Sequence, residues 1–125
     1  MMGETQEKKK GLTVAEIRAV EDRKLEMVDI PEWGGAVYLR PMSGVERDEM
    51  EGLAIRIDDA AERGQAIKKF FVLELVVNED GEKLFKEEDW AWLPKKNASA
   101  ILKIVRHVRE DNGLGPQAAE ETAKN

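Results

Sequence analysis

Residues 70–94 read FFVLELVVNEDGEKLFKEEDWAWLP, and the way FFVLELVV (70–77) folds decides the architecture. This run is apolar nearly all round, interrupted by Glu74. By length it suits either a buried strand or the closing turns of a helix. Ile67, Phe70, Phe71 and Leu75 continue a helical spacing from a polar start at Gln65, so a helix over 65–77 is predicted. Asp80-Gly81 then supplies a turn, because aspartate bonds its own backbone and glycine reaches positive φ without steric cost. Lys83-Leu84-Phe85 bridges to a short acidic helix, KEEDWAWL, which Pro94 ends.

Upstream, Ser43 and Glu46 form an S-x-x-E capping box that opens a helix with an acidic first turn. Met50, Leu53, Ala54, Ile57 and Ala61 fall on one stripe of it, Ile55 points off the stripe, and Gly64 is a natural stop. Before it, Leu25, Met27 and Ile30 alternate with polar residues as far as Pro31. Trp33-Gly34-Gly35 can turn tightly, and AVYLRP returns, which makes a β-hairpin. An isolated hairpin is marginal in water, so it must lie on the helices. Thr13 and Glu16 are a second capping box, on a short helix TVAEIRAVEDR with Val14, Ile17 and Val20 to one side. Asn97 caps the last helix, ASAILKIVRHVRED, whose apolar face holds Ala98, Ile101, Leu102, Ile104, Val105 and Val108 and which Asn112-Gly113 closes.

The fold class that follows is mainly α, with a short N-terminal β-hairpin packed on a small helical bundle, and an α+β arrangement as the alternative. Residues 12–113 make one globular domain; residues 1–11 are expected to be a disordered tail and 114–125 a flexible one.

Composition excludes several function classes. With 42% hydrophobic and 37% charged residues, the chain favours helices with solvated faces. A net charge of -6 argues against nucleic acid as a partner, since phosphate binding needs a basic surface. No apolar run approaches the about 18 residues that span a membrane, and residues 1–11 lack the apolar segment of a signal peptide. The absence of cysteine removes disulfides, thiolate metal sites and cysteine nucleophiles, and fits a cytoplasmic location.

Candidate chemistry is thin. If Gly81 took the sixth position of a calcium loop, Asn78, Asp80 and Glu87 would fall on ligand positions, but Val76 would occupy the first, where it cannot ligate. The carboxylates at 58–59 and 87–89 diverge on a helix and do not form a metal pair. His107, the single histidine, falls just outside the apolar face beside Arg106 and Arg109, and Ser43 and Ser99 sit where capping explains them. No catalytic, cofactor-binding or metal-binding residue is expected, and the protein is read as a non-enzyme. The aromatics say more: Trp90 and Leu93 share a core-facing side, whereas Trp92 lies about 200° round from Trp90, so one core face cannot bury both. Trp92 is therefore covered by another segment or belongs to a binding surface, where tryptophan is enriched. Ile55 poses the same question.

Taken in order, these features resemble the tail assembly chaperones of long-tailed phages and prophages. The resemblance is carried by the V-x-x-P-E-W-G-G-x-V hairpin (Val28 to Val37), the S-G-x-E-R-D helix start (Ser43 to Asp48), N-E-D-G-E-K-L-F (Asn78 to Phe85), E-E-D, and the closing N-G-L (Asn112 to Leu114). The extension through Lys10 and the WAW sequence depart from the pattern. The resemblance implies a non-enzymatic, self-associating, mainly helical protein. It would bind the tape measure protein, keep its apolar segments soluble and help recruit tail tube subunits. A groove of leftover apolar residues would take an amphipathic helix, with Met50, Ile55 and Trp92 as the candidate partner-binding residues. Ala123-Lys124-Asn125 is also encodable by a slippery A-AAA-AAC heptamer, as expected where a longer frameshifted form is made. The rival readings are a small acidic adaptor or regulator and a structural tail component.

Overall fold

The computed structural model describes residues 9–114; the two tail expectations fall largely on residues 1–8 and 115–125, outside the described residues. Along the chain run α1 (Val14–Ala19), β1 (Glu26–Ile30), β2 (Gly35–Leu39), α2 (Gly44–Arg56), α3 (Ala60–Leu75), β3 (Val76–Val77) and α4 (Ala98–Asp111). Short 3-10 turns cover Pro31–Trp33, Glu87–Ala91 and Leu93–Lys95. The result is a small α+β domain: a three-stranded antiparallel sheet in the order β1-β2-β3, with α3 and α4 packed together on its inner face and α2 against α3.

The decisive stretch is helix and strand in turn. Phe71, Val72, Leu73 and Leu75 close α3 and are buried, after which the chain passes without a loop into Val76 and Val77. These pair with Leu39 and Tyr38 of the hairpin. The predicted helix over 65–77 is therefore corrected at both ends. Its last two residues are β-branched and fit a buried strand better than another helical turn. Its start moves back to Ala60, because Asp59 caps it, Oδ2 accepting the Glu62 amide at 2.9 Å. The preceding helix accordingly stops at Arg56, and Gly64 lies exposed inside α3 rather than ending α2. The Arg63 guanidinium donates to the carbonyl of Ile57 at 3.0 Å and so closes this corner.

Strand β1 pairs with β2 in the register Val28↔Val37, with Ile30 opposite Gly35. Val28, Ile30, Val37 and Leu39 face the core, while Met27 is exposed. The sequence pattern had placed Met27 inward. Side chains alternate along a strand, so pairing the two valines on the core side turns Met27 out. Gly34, at φ 75, makes the hairpin turn that the sequence announces. Past β3, the Asn78 carboxamide oxygen accepts the amides of Asp80 (2.9 Å) and Glu82 (3.0 Å), and Gly81 takes φ 83. Val76, the residue at the first calcium-loop position, is buried in the sheet. Within KEEDWAWL, Glu87–Ala91 forms a 3-10 turn rather than an α-helix, and Pro94 lies inside a further short turn, Leu93–Lys95, rather than ending the element.

Helix α4 contributes Ile101, Ile104, Val105 and Val108 to the core. Ala98 and Leu102, expected on that face, are exposed, because the sheet and α3 cover a narrower stripe than the sequence offered. The Asn112 side chain ends α4 and reaches back across the fold: Oδ1 accepts the Met42 amide at 2.9 Å, and Nδ2 donates to the Val108 carbonyl. Leu114 packs on the core, so the globular unit extends one residue beyond the expected boundary.

One polar cluster joins hairpin, helix and turn. The Glu46 carboxylate accepts the Ser43 amide, completing the capping box, and also binds Arg23 and Arg40. Arg40 in turn donates to the carbonyls of Gly81 (3.2 Å) and Glu74 (3.4 Å). The Arg47–Glu51 pair on the same helix is solvated and contributes little. Glu46→Ala is expected to cost about 2 kcal/mol or more in urea unfolding, because it leaves two half-buried guanidinium groups short of an anion and removes a cap. Glu51→Ala should cost less than about 0.5 kcal/mol. Equal losses would show that the cluster adds nothing beyond an exposed ion pair.

Candidate functional site

The aromatic residues converge where the hairpin turn meets the segment 84–96. Trp33 and Val37 come from the hairpin, Leu84 and Phe85 from the chain after the NEDG turn, and Trp92, Leu93 and Lys96 from the 3-10 turns. Together they line an open apolar groove of about 480 Å³.

Trp92 is held in place rather than loosely attached. Asp89 accepts the Lys86 amide at 2.7 Å through Oδ2 and the Trp92 indole N–H at 3.1 Å through Oδ1. The Phe85 ring meets the Trp92 ring edge-on, with centroids 6.2 Å apart at 76°. The Lys96 ammonium lies 6.0 Å from the Trp92 centroid, within cation–π range. Trp92 nevertheless remains 44% exposed, whereas Trp90 is half-buried against the core. A large ring fixed on several sides and still open to solvent loses little entropy when a partner covers it. The indole N–H of Trp33 is buried with no acceptor among the described residues.

The other two candidate residues lie elsewhere. Met50 is 7% exposed and belongs to the core cluster, so it has no surface to offer a partner; its position on the apolar stripe of α2 carries it inward against α3. Ile55, at 79%, is one of the most exposed apolar residues, but no residue of α2 lines the Trp92 groove. Sequence reasoning did not single out Trp33, Leu84 or Phe85. Trp33 read as a turn residue and Leu84-Phe85 as a connector, and only the return of the chain past β3 brings them beside Trp92. A second groove, between α2, α3 and residues 83–87, is lined by Leu53, Phe70, Leu73 and, again, Phe85. The ion pairs Lys69–Glu87 and Lys83–Glu74 join its charged lining.

No family model matches the chain, and no curated protein matches its sequence. A solved structure does match in fold. It is that of the bacteriophage HK97 tail assembly chaperone. The match covers 89% of this chain and 95% of that one, with a TM-score of 0.54 and 12% sequence identity. The sheet and helices described above therefore form a fold like that of a tail assembly chaperone. Among the described residues, no helix is long and apolar enough to cross a membrane, and no group of potential ligands is placed to hold a metal ion.

His107 is less solvated than its sequence position suggests: Nδ1 lies 3.6 Å from the Glu26 carboxylate, which the sheet brings beside α4. The Glu26 carboxyl is raised above its ordinary value, chiefly by sharing a hydrogen bond with Asp111, then by burial and by the Asp111 charge, against an opposing pull from His107. A carboxyl raised on folding stabilises the fold fully below its unfolded value, and that contribution is lost as pH rises through the raised value. Glu26→Gln removes this titration. Its Tm relative to the parent is therefore expected to improve between pH 4 and pH 7, as followed by circular dichroism. A difference constant with pH would contradict the Glu26–Asp111 interaction.

Proposed function

We propose that this protein is a tail assembly chaperone of a long-tailed phage or prophage: a non-enzymatic, cytoplasmic protein that binds a helical tape measure protein, keeps its apolar segments soluble and helps bring tail tube subunits to it. The observation that carries this reading is the fold likeness to the HK97 tail assembly chaperone over nearly the full length of both chains. The motif order from Val28 to Leu114 supports it independently of the fold. The groove beside Trp92 has the character such a role asks for: a rigid aromatic anchor, apolar walls and a charged rim able to take the apolar face of an amphipathic helix. No cofactor or metal enters the role.

Co-expression with the tape measure protein of the same genome tests it. The tape measure protein is expected to become soluble and to co-purify with this chain. Trp92→Ala should weaken that retention by about 2 kcal/mol, roughly 30-fold in Kd, while leaving the fold intact. A tape measure protein that stays insoluble and unbound would sink the chaperone reading.

A further inference from the structure

The Trp92 groove carries a charge that no described residue answers. The one charged side chain among those lining it is Lys96. Lys96 is exposed, makes no ion pair among the described residues, and holds its ammonium 6.0 Å from the Trp92 ring centroid. Asp89, the carboxylate that touches Trp92, is turned onto the Lys86 amide and the Trp92 indole N–H, and it does not line the groove. The second groove is built differently. Its lysines and glutamates are mixed, and the pairs Lys69–Glu87 and Lys83–Glu74 leave Lys86 alone unpaired there among the described residues. A local positive site therefore stands open beside Trp92 in a chain of net charge -6.

That charge restricts what can cover the groove. A partner lying over Trp92 takes Lys96 partly out of water, and a hydrated ammonium resists this. The aromatic face offers it only a weak counterpart. A wholly apolar segment strands the ammonium, and a segment presenting lysine or arginine at that point adds like-charge repulsion. A segment that brings a carboxylate meets neither cost.

We propose that the helix this groove takes has an apolar stripe bordered by aspartate or glutamate, and that Lys96 is the residue that selects it. The proposal rests on the groove being the partner-helix site of the reading above. Helix geometry sets the spacing. Successive turns lie about 5.4 Å apart, close to the 6.0 Å between the Lys96 ammonium and the Trp92 ring. A helix that lays an apolar side chain on Trp92 therefore brings the residue three or four positions away to Lys96. The segment's signature is an acidic residue three or four positions from a large apolar one, on the border of the stripe. Such a segment is attracted although the chain as a whole is acidic, because the contact acts at short range while distant carboxylates are screened by salt.

The test uses the full chain and two labelled peptides of about 18 residues, long enough to hold a helix on a surface. Both have the same composition, no net charge and the same leucine stripe. One borders the stripe with glutamate and puts lysine on the far face; the other reverses this. Equal net charge cancels the general repulsion from an acidic protein. By fluorescence anisotropy the glutamate-bordered peptide is expected to bind about tenfold tighter, and the difference should shrink in high salt. Lys96→Gln should level the two peptides and Lys96→Glu should reverse their order, with unchanged circular dichroism. Arg56→Glu makes the same change of charge on an exposed residue of α2, outside the groove, and should leave the preference as in the parent. Equal binding of the two peptides by the parent, binding of neither, or a preference that survives Lys96→Glu overturns the proposal. Neither peptide is a tape measure sequence, so the two readings fail separately. A tape measure protein retained alike by the parent and by Lys96→Glu leaves the chaperone reading standing and removes this one.

Discussion

The fold depends on the chain passing from helix to strand at Leu75–Val76 without a connecting loop. Leu75 belongs to the helical core and Val76 to the sheet, and both are fully buried. The two valines of β3 hydrogen-bond to β2, so the long helix α3 is tied rigidly to the hairpin. A two-stranded hairpin has little stability in water, and the third strand together with α3 and α4 on its inner face supplies what it lacks. Burying Phe71, Leu75 and Ile104 removes about 2–3 kcal/mol worth of apolar surface each from water. The rest of the chain is arranged so that, apart from the Trp33 indole N–H and Arg40 Nε, this burial strands no side-chain polar group among the described residues.

That arrangement is visible at the two polar joints. Glu46 caps α2 and holds Arg23 and Arg40, while Arg40 reaches the carbonyls where α3 ends and the NEDG turn closes. Asn112 ends α4 and binds the backbone just before α2. Each joint links segments distant in sequence through a side chain already needed as a helix cap. This explains why S-x-x-E and N-G-L recur in one molecule: a helix start and a helix end meet across the domain.

The same geometry produces the groove. After β3 the chain turns back at Gly81, pairs briefly at Lys83, and sets Leu84 and Phe85 beside the hairpin turn. Asp89 then fixes Trp92 over them. The surface is apolar because it gathers apolar side chains from three segments distant in sequence. The arm ahead of Arg23 shows the opposite condition, with exposed apolar residues that nothing among the described residues covers.

Much of this was legible in the sequence, for identifiable reasons. Capping boxes at Thr13 and Ser43, the Asn97 cap, the turns at Gly34 and Gly81 and the hairpin all rest on local chemistry between residues a few positions apart, so the sequence by itself determined them. It also marked Trp92 as the tryptophan a single core face could not hold, and the motif order pointed to a tail-chaperone-like fold. The break at Asp59 was readable from Asp59 and Glu62, but the longer apolar stripe obscured it. Other features depended on contacts that no local pattern contains. Val76 and Val77 became strand because β2 offered an unpaired edge, and Met27 faced outward because of the register with β2. Met50 went into the core and Ile55 stayed outside because α3 covers one side of α2. Trp33 joined Trp92 only when the chain folded back past β3. Tertiary structure decided these positions, because a strand's partner and a helix's covered face are set by which distant segment arrives there.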